Sequence, residues 1–365
     1  MTGYFHVLTA IDIFVLSFMC ILTKLSESLN KKQKQGFFLA FTLIAGISVL
    51  EVITLAVNDT PSGLRWLNIV SNYLGFGLSP AVSLCLVYVL DKQTALRRGF
   101  KAAVCCEIAY LIFLALSIPY GLIFSVSVDN VHARGKYFYI YVIVYFAAIL
   151  YLSVSTIITG REFQNRSRAL IYPLMLFLTA ETVIQIALPD LHVTWLCVTL
   201  LSVLYFTYCN EMWNQLDALT GLLNQNSYLN RTAEMNRSGG LLIVFDVDNF
   251  KQVNDCYGHL QGDACLAAVA ACLKKAYACC GYCYRIGGDE FCVLLKNTAK
   301  EAACAEEFLR QLEKKRRELA FLPTVSCGSA PLSGEDVVAV KDQADRAMYH
   351  HKKARKERAA AIVPE

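Results

Sequence analysis

Hydrophobic and polar positions divide this chain into two stretches of different character. Over the first 209 residues the apolar positions run in blocks instead of alternating or recurring every three to four residues. Seven blocks stand out: 4–23, 37–57, 66–90, 102–126, 137–159, 169–188 and 193–209. Each approaches the roughly 20 residues that a helix needs to cross a bilayer. The count falls to six if one weaker run lies on the surface as a helix. Beyond residue 216 the pattern becomes that of a globular domain. The apolar run 241–246 follows Gly239 and Gly240 and predicts a buried strand. Residues 262–275 carry Leu266, Val269, Ala270 and Leu273 at helical spacing. Residues 282–295 form two apolar segments about a Gly-Gly-Asp-Glu turn and read as a hairpin. A charged helix over 301–319, a strand over 324–330 and a helix over 336–356 complete the order. The prediction is an α+β domain, an antiparallel central sheet with helices packed on one face.

Charge follows the same boundary. The chain has 365 residues, 18% charged, against roughly 25% in an ordinary soluble protein. Residues 1–210 contain 14 Lys/Arg and 10 Asp/Glu, whereas residues 211–365 contain 20 of each. The net charge of +4 therefore lies entirely in the first stretch. The second is formally neutral, with no basic field to attract nucleic acid. Between the apolar blocks, basic residues concentrate in 24–36, 91–101 and 160–168, while the other loops carry only Arg65, Arg134 and Lys136. Basic loops stay cytoplasmic. This places the N-terminus outside and delivers the second stretch to the cytoplasm. The first block lacks a preceding basic segment and reads as an anchor, not a cleaved signal. Asp12, Glu51, Glu107 and Glu181 fall inside apolar blocks, where ionisable groups are costly. Asp12 and Glu107 lie within about two turns of a span end, in reach of water; for Glu181, the deepest, an interhelical hydrogen bond is the expected role. The expected organisation is a transmembrane sensor region over 1–209 in contact with lipid, a short helical linker over 210–216, a globular domain over 217–358 and a tail over 359–365.

The 15 cysteines do not form a disulfide scaffold: their number is odd, and several lie within apolar runs. Cys280 and Cys283 make a lone C-x-x-C with no second pair at zinc-binding spacing.

Acidic residues carry the candidate chemistry. Asp246 and Asp248 close the first strand and are expected on opposite faces. Asp289 and Glu290 sit in the glycine turn. A central strand beside that hairpin could bring Asp246 and Asp289 together, and converging carboxylates repel unless a cation joins them. Mg²⁺ suits such a set and leaves coordination positions for phosphate oxygens. Gly-Gly-Asp-Glu alone would be an ordinary turn.

Its surroundings make it more. FDVDNFKQVN at 245–254, DCYGH at 255–259, GD at 262–263 and RIGGDEF at 285–291 resemble the GGDEF domain of diguanylate cyclases, as do DALTGLLN at 217–224 and ADRAMY at 344–349 followed by Lys352. The resemblance spans about 215–358 and implies a nucleotide-cyclase or polymerase-palm-like fold. It implies a bacterial inner-membrane enzyme that joins two GTP into cyclic di-GMP and two pyrophosphates at a homodimer interface, under the control of an unknown signal at the membrane region. Asp246, Asp289 and the Val247 carbonyl match ligands of two Mg²⁺ ions, with Mn²⁺ an alternative. Glu290 matches the second signature acid, assigned to metal binding or catalysis. Asn254 and Asp263 match the guanine contacts, an Asp suiting the two donors of the guanine edge. Lys251, Lys352 and Lys356 match phosphate contacts. Gln225, Arg355 and Lys356 depart from the family pattern. Two other readings stay open: a catalytically inactive GTP-binding regulatory module, and a membrane receptor or transporter with a vestigial tail. The family's R-x-x-D product-inhibition site would fall at 278–281, which reads Ala-Cys-Cys-Gly. Titrating cyclic di-GMP into a GTP turnover assay is expected to show no sub-micromolar noncompetitive inhibition; such inhibition would contradict this reading.

Overall fold

The structure is a computed structural model describing residues 2–90, 94–163, 171–187, 193–334 and 336–362. The side chains of Glu181 and Lys356 lie outside what is described. The chain divides into two compact units, one containing 1–162 and 166–214, the other 163–165 and 215–365.

In the first unit, helices form at the seven apolar blocks: α1 (Thr2–Leu25), α2 (Lys31–Val57), α3 (Arg65–Val89), α4 (Thr94–Ser117), α5 (Tyr139–Glu162), α6 (Ile171–Ala187) and α7 (Thr194–Asn214). Among the described residues, α1 to α5 are long and apolar enough to cross a membrane. Their starts obey local chemistry. Asn30 caps α2 by accepting from the N–H of Lys32 and Gln33, and the Gln33 side chain accepts from the Asn30 N–H in return, a reciprocal pairing that satisfies otherwise orphaned donors. Pro80 lies inside α3 and has no N–H for the Phe76 carbonyl; the Tyr110 hydroxyl donates to that carbonyl instead, at 3.4 Å.

The apolar run read as 102–126 does not stay helical. α4 ends at Ser117, Pro119 falls in a 3-10 turn, and Gly121 takes a left-handed φ of 59°. The chain then forms a short antiparallel pair, β1 (Phe124–Val126) with β2 (His132–Arg134). Asn130, in the connecting turn, donates to the Val57 carbonyl and accepts from Asn68, which in turn accepts from Asn72. Three buried amides thus pin the hairpin to α2 and α3. Asp12 is buried, not within reach of water as its place near a span end suggested, and accepts from Ser48 across α1 and α2 at 3.3 Å.

The second unit contains α8 (Gln225–Ser238), β3 (Gly240–Val247), α9 (Phe250–Tyr257), α10 (His259–Tyr277), β4 (Gly281–Arg285), β5 (Glu290–Leu295), α11 (Glu301–Glu318), β6 (Val325–Leu332) and α12 (Val337–Ile362). The strands pair antiparallel in the order β4-β5-β3-β6. β3 is central, and the run 241–245 is buried on both faces. Ile243, Phe245 and Val247 pack with residues of α10 and α11 such as Leu273 and Phe308. Leu242 and Val244 pack with Tyr228 and Met235 of α8 and with Val340 and Ala344 of α12. Helices therefore cover both faces, not one. The second layer escaped the sequence reading because α8 is polar, with Tyr228 and Met235 its only buried apolar side chains.

α12 lies directly on β6. A Cβ at Gly328 would come 2.1 Å from the Met348 nitrogen and 2.4 Å from the Ala344 carbonyl, both backbone atoms that cannot swing aside. Gly328→Ala is expected to cost about 2 kcal/mol by overpacking and to accelerate amide exchange over 344–352, read by hydrogen–deuterium exchange of the full chain.

Candidate active site

The acidic residues meet at one end of the sheet because of register. Asp246 of β3 pairs with Glu290 of β5, and the Val247 N–H donates to the Asp289 carbonyl at 3.2 Å. The hairpin turn between β4 and β5 brings Asp289 and Glu290 to the end of β3. Gly287 and Gly288 are exposed, neither has a positive φ, and a Cβ on Gly288 would meet nothing within 4 Å. The fold itself does not require glycine at 288, and the ground beside it is open.

Arg285 organises the turn. Its guanidinium donates to the carbonyls of Gly287 and Gly288, at 3.2 and 2.8 Å, and forms an ion pair with Asp217 at 3.2 Å. Asp217 also accepts from the Thr220 N–H at 2.8 Å and its hydroxyl at 2.6 Å. Burial would raise the Asp217 carboxyl, but the Thr220 hydrogen bonds and the Arg285 charge outweigh it and hold the group below its ordinary range. The segment carrying Asp217 is fixed to β4: the Leu223 N–H donates to the Cys283 carbonyl and the Arg285 N–H to the Leu223 carbonyl.

Asp246 and Asp248 were expected on opposite faces. Residues two apart on a strand share a face, and the Lys352 ammonium of α12 confirms it by facing both. It is hydrogen-bonded to Asp246 and lies 3.9 Å from Asp248. Asp248 is buried and held by the hydroxyls of Thr324, at 2.6 Å, and Ser326, at 2.8 Å. Its position is that of a structural carboxylate. Burial pulls the Lys352 ammonium down, but Asp246, with Asp248 and Asp289 behind it, outweighs burial and raises it above the usual lysine value. Glu290 and Asp345 act in the same direction on Lys341, also against burial.

These groups fit a divalent cation in donor chemistry. Hard carboxylates and a strand-end carbonyl are suitable ligands, and the Lys352 ammonium already stands where positive charge is needed. Among the described residues no three His, Cys, Asp or Glu side chains are drawn into a metal-holding cluster.

The remaining predicted residues fall on two helices. Asn254 lies on α9 and Asp263 on α10. A Cβ on Gly262 would sit 1.9 Å from the Asn254 Oδ1, so the glycine lets the two helices close with Asn254 beside the residue that precedes Asp263. Asp263 is exposed, as is Lys251 on α9. The altered end of α12 contributes a contact of its own: His351 accepts from the Cys327 N–H on edge strand β6 at 3.2 Å. Sequence reading missed the turn-holding role of Arg285 and the proximity of Lys341 to Glu290. An arginine two residues before a glycine pair, and an aspartate at the head of a separate motif, were the available signals for the first.

Residues 214–358 match the family described as diguanylate cyclase, GGDEF domain. Diguanylate cyclase DgcP of Pseudomonas aeruginosa is 38% identical over 160 residues, 39% of this chain and 23% of that protein. Cyclic di-GMP phosphodiesterase PdeR of Escherichia coli is 34% identical over 161 residues, 41% of this chain and 24% of that one. The chain thus spans about a quarter of the length of these two curated relatives. A solved GGDEF domain of DgcB from Caulobacter crescentus, in complex with c-di-GMP, is 29% identical over 38% of this chain and 91% of that one, with a TM-score of 0.34. The match to the GGDEF-domain family model is confined to residues 214–358 of the chain.

The Asp217–Arg285 pair gives a pH test. Because the folded Asp217 pKa lies below its unfolded value, the stabilisation is complete above the ordinary carboxylate range and is lost as pH falls below it. Asp217→Asn is expected to be less stable than the parent at pH ~7 and to approach it as the pH falls from the ordinary carboxylate range, ~3.9, through the lower folded pKa. Exchange rates of the amides at 286–290, measured across that range, check it.

Proposed function

We propose that this protein is a membrane-anchored diguanylate cyclase: two GTP are condensed into cyclic di-GMP and two pyrophosphates. The observation that carries the reading is the register pairing of Asp246 with Glu290, beside an open glycine turn and against the Lys352 ammonium. It supports Asp246, Asp289, Glu290 and the Val247 carbonyl as the residues that hold two divalent ions, Mg²⁺ or Mn²⁺. A divalent cation bound there supplies charge neutralisation on the triphosphate and a lowered pKa for the attacking 3′-hydroxyl. Asn254 and Asp263 hold the guanine edge; the Asp263 carboxylate accepts from its N–H donors, which adenine could not offer in that arrangement. Lys251, Lys352 and Lys356 bind the phosphates. Lys352 moves from Asp246 to a phosphate oxygen as substrate enters, so the charge that balances the empty carboxylate is available for the triphosphate.

Each domain binds one GTP, and each 3′-hydroxyl attacks the α-phosphate held by the partner domain. Reaction therefore requires a homodimer. The apolar helices of the first unit span a bacterial inner membrane with the GGDEF domain in the cytoplasm. A signal received there changes the population of productive dimers. The Lys352–Asp246 contact also fits a second reading, a GTP-binding regulatory module in which that ion pair is permanent.

Turnover distinguishes the two. Full-length protein in detergent, given GTP and Mg²⁺, is expected to form cyclic di-GMP detectable by mass spectrometry. Asp289→Ala is expected to lower the rate by ~100-fold or more. GTP binding without product, both in detergent and in a chain forced to dimerise through a fused coiled coil, would favour the regulatory module.

A further inference from the structure

Outside the carboxylate site, three thiols gather at the turn between α10 and β4. The Cys279 sulfur lies 3.1 Å from that of Cys280, and the Cys304 sulfur, near the start of α11, lies 3.7 Å from Cys280 on its other side. The three form a chain with Cys280 in the middle, graded in burial: Cys279 is exposed, Cys280 half-buried and Cys304 buried. The turn is held in place. The Lys296 N–H donates to the Cys280 carbonyl at 3.3 Å, and a Cβ on Gly281 would meet the Leu294 carbonyl at 2.5 Å. Cys280 and Cys304 both pack in the core on that face of the sheet.

The geometry points to a thiol relay in which a hydroperoxide entering at Cys279 ends as a disulfide between Cys280 and Cys304. In the first step the Cys279 sulfur attacks the O–O bond, giving the sulfenic acid and releasing an alcohol, or water if the oxidant is hydrogen peroxide. The Cys280 sulfur then attacks the Cys279 sulfur; the S–O bond breaks and the oxygen leaves as water. Adjacent α-carbons are ~3.8 Å apart, closer than the ~4.4 Å lower end of ordinary disulfides, so the bond between neighbours is strained. Attack of the Cys304 sulfur on Cys280 relieves the strain and returns Cys279 as a thiol. Overall, two thiols lose two electrons and two protons, and one hydroperoxide is reduced. The contact with Cys280 raises the Cys279 pKa, which keeps the thiolate scarce and the first step slow; the relay rests on the spacing and graded burial of the three sulfurs.

The site can be read without reference to cyclase activity. Full-length protein in detergent, reduced and then freed of reductant, is treated with hydrogen peroxide, blocked with iodoacetamide and digested for mass spectrometry. The expected product is a cross-linked peptide joining the 279–280 segment to Cys304, cleaved by dithiothreitol. It should be absent from Cys280→Ser, and Cys279→Ser should form it about tenfold more slowly. Absence of the cross-link in the parent while Cys279 is oxidised would overturn the proposal. So would a bridge that survives Cys280→Ser, or formation in Cys279→Ser at the parental rate.

Discussion

A carboxylate at the end of a strand buried on both faces needs a cation, and the second unit is arranged around that need. Asp246 shares the parity of Leu242 and Val244, whose side chains face α12. The same packing that buries Val340 and Ala344 against the sheet sets Lys352, two turns further along, against Asp246. Gly328 makes this approach close enough, because α12 rests on the β6 backbone where any side chain would intrude. Packing on one strand thus fixes the position of a charge on the next. Desolvation opposes the ammonium at that position, and the surrounding carboxylates reverse its effect, the condition under which a half-buried pair persists.

Central features of this arrangement were legible in the sequence. The run 241–246 after two glycines read as a buried strand and the glycines between two apolar segments as a hairpin turn, and that topology allowed Asp246 to meet the Asp289–Glu290 turn. What was not legible depended on tertiary context. α8 carries too few apolar residues to announce a helix, and it forms because Tyr228 and Met235 find the second face of the sheet. The β1–β2 pair lay hidden in an apolar run whose helical character ends at Pro119 and Gly121. Asp246 and Asp248 looked alike, yet they differ in their partners: Asp246 faces the Lys352 ammonium, whereas Asp248 is buried and accepts from the hydroxyls of Thr324 and Ser326. Only the fold brings residues 76 and 78 positions away to that carboxylate.

Arg285 shows how the two halves of the domain's chemistry are joined. Backbone hydrogen bonds hold the turn at 286–289 at its ends, from the Ile286 N–H to the Glu290 carbonyl and from the Val247 N–H to the Asp289 carbonyl, and between them Gly287 and Gly288 have freedom to move. The guanidinium removes that freedom by holding two turn carbonyls while its charge is balanced by Asp217. Asp217 belongs to the first residues after α7, and those residues are themselves bonded to β4 through Leu223. The segment entering the domain is therefore connected to the Asp289–Glu290 turn by one ion pair and two backbone hydrogen bonds. This route runs entirely within the second unit. It makes the entering segment, not the sheet core, the part of the domain in direct contact with the turn; the core strands are buried on both faces and resist deformation.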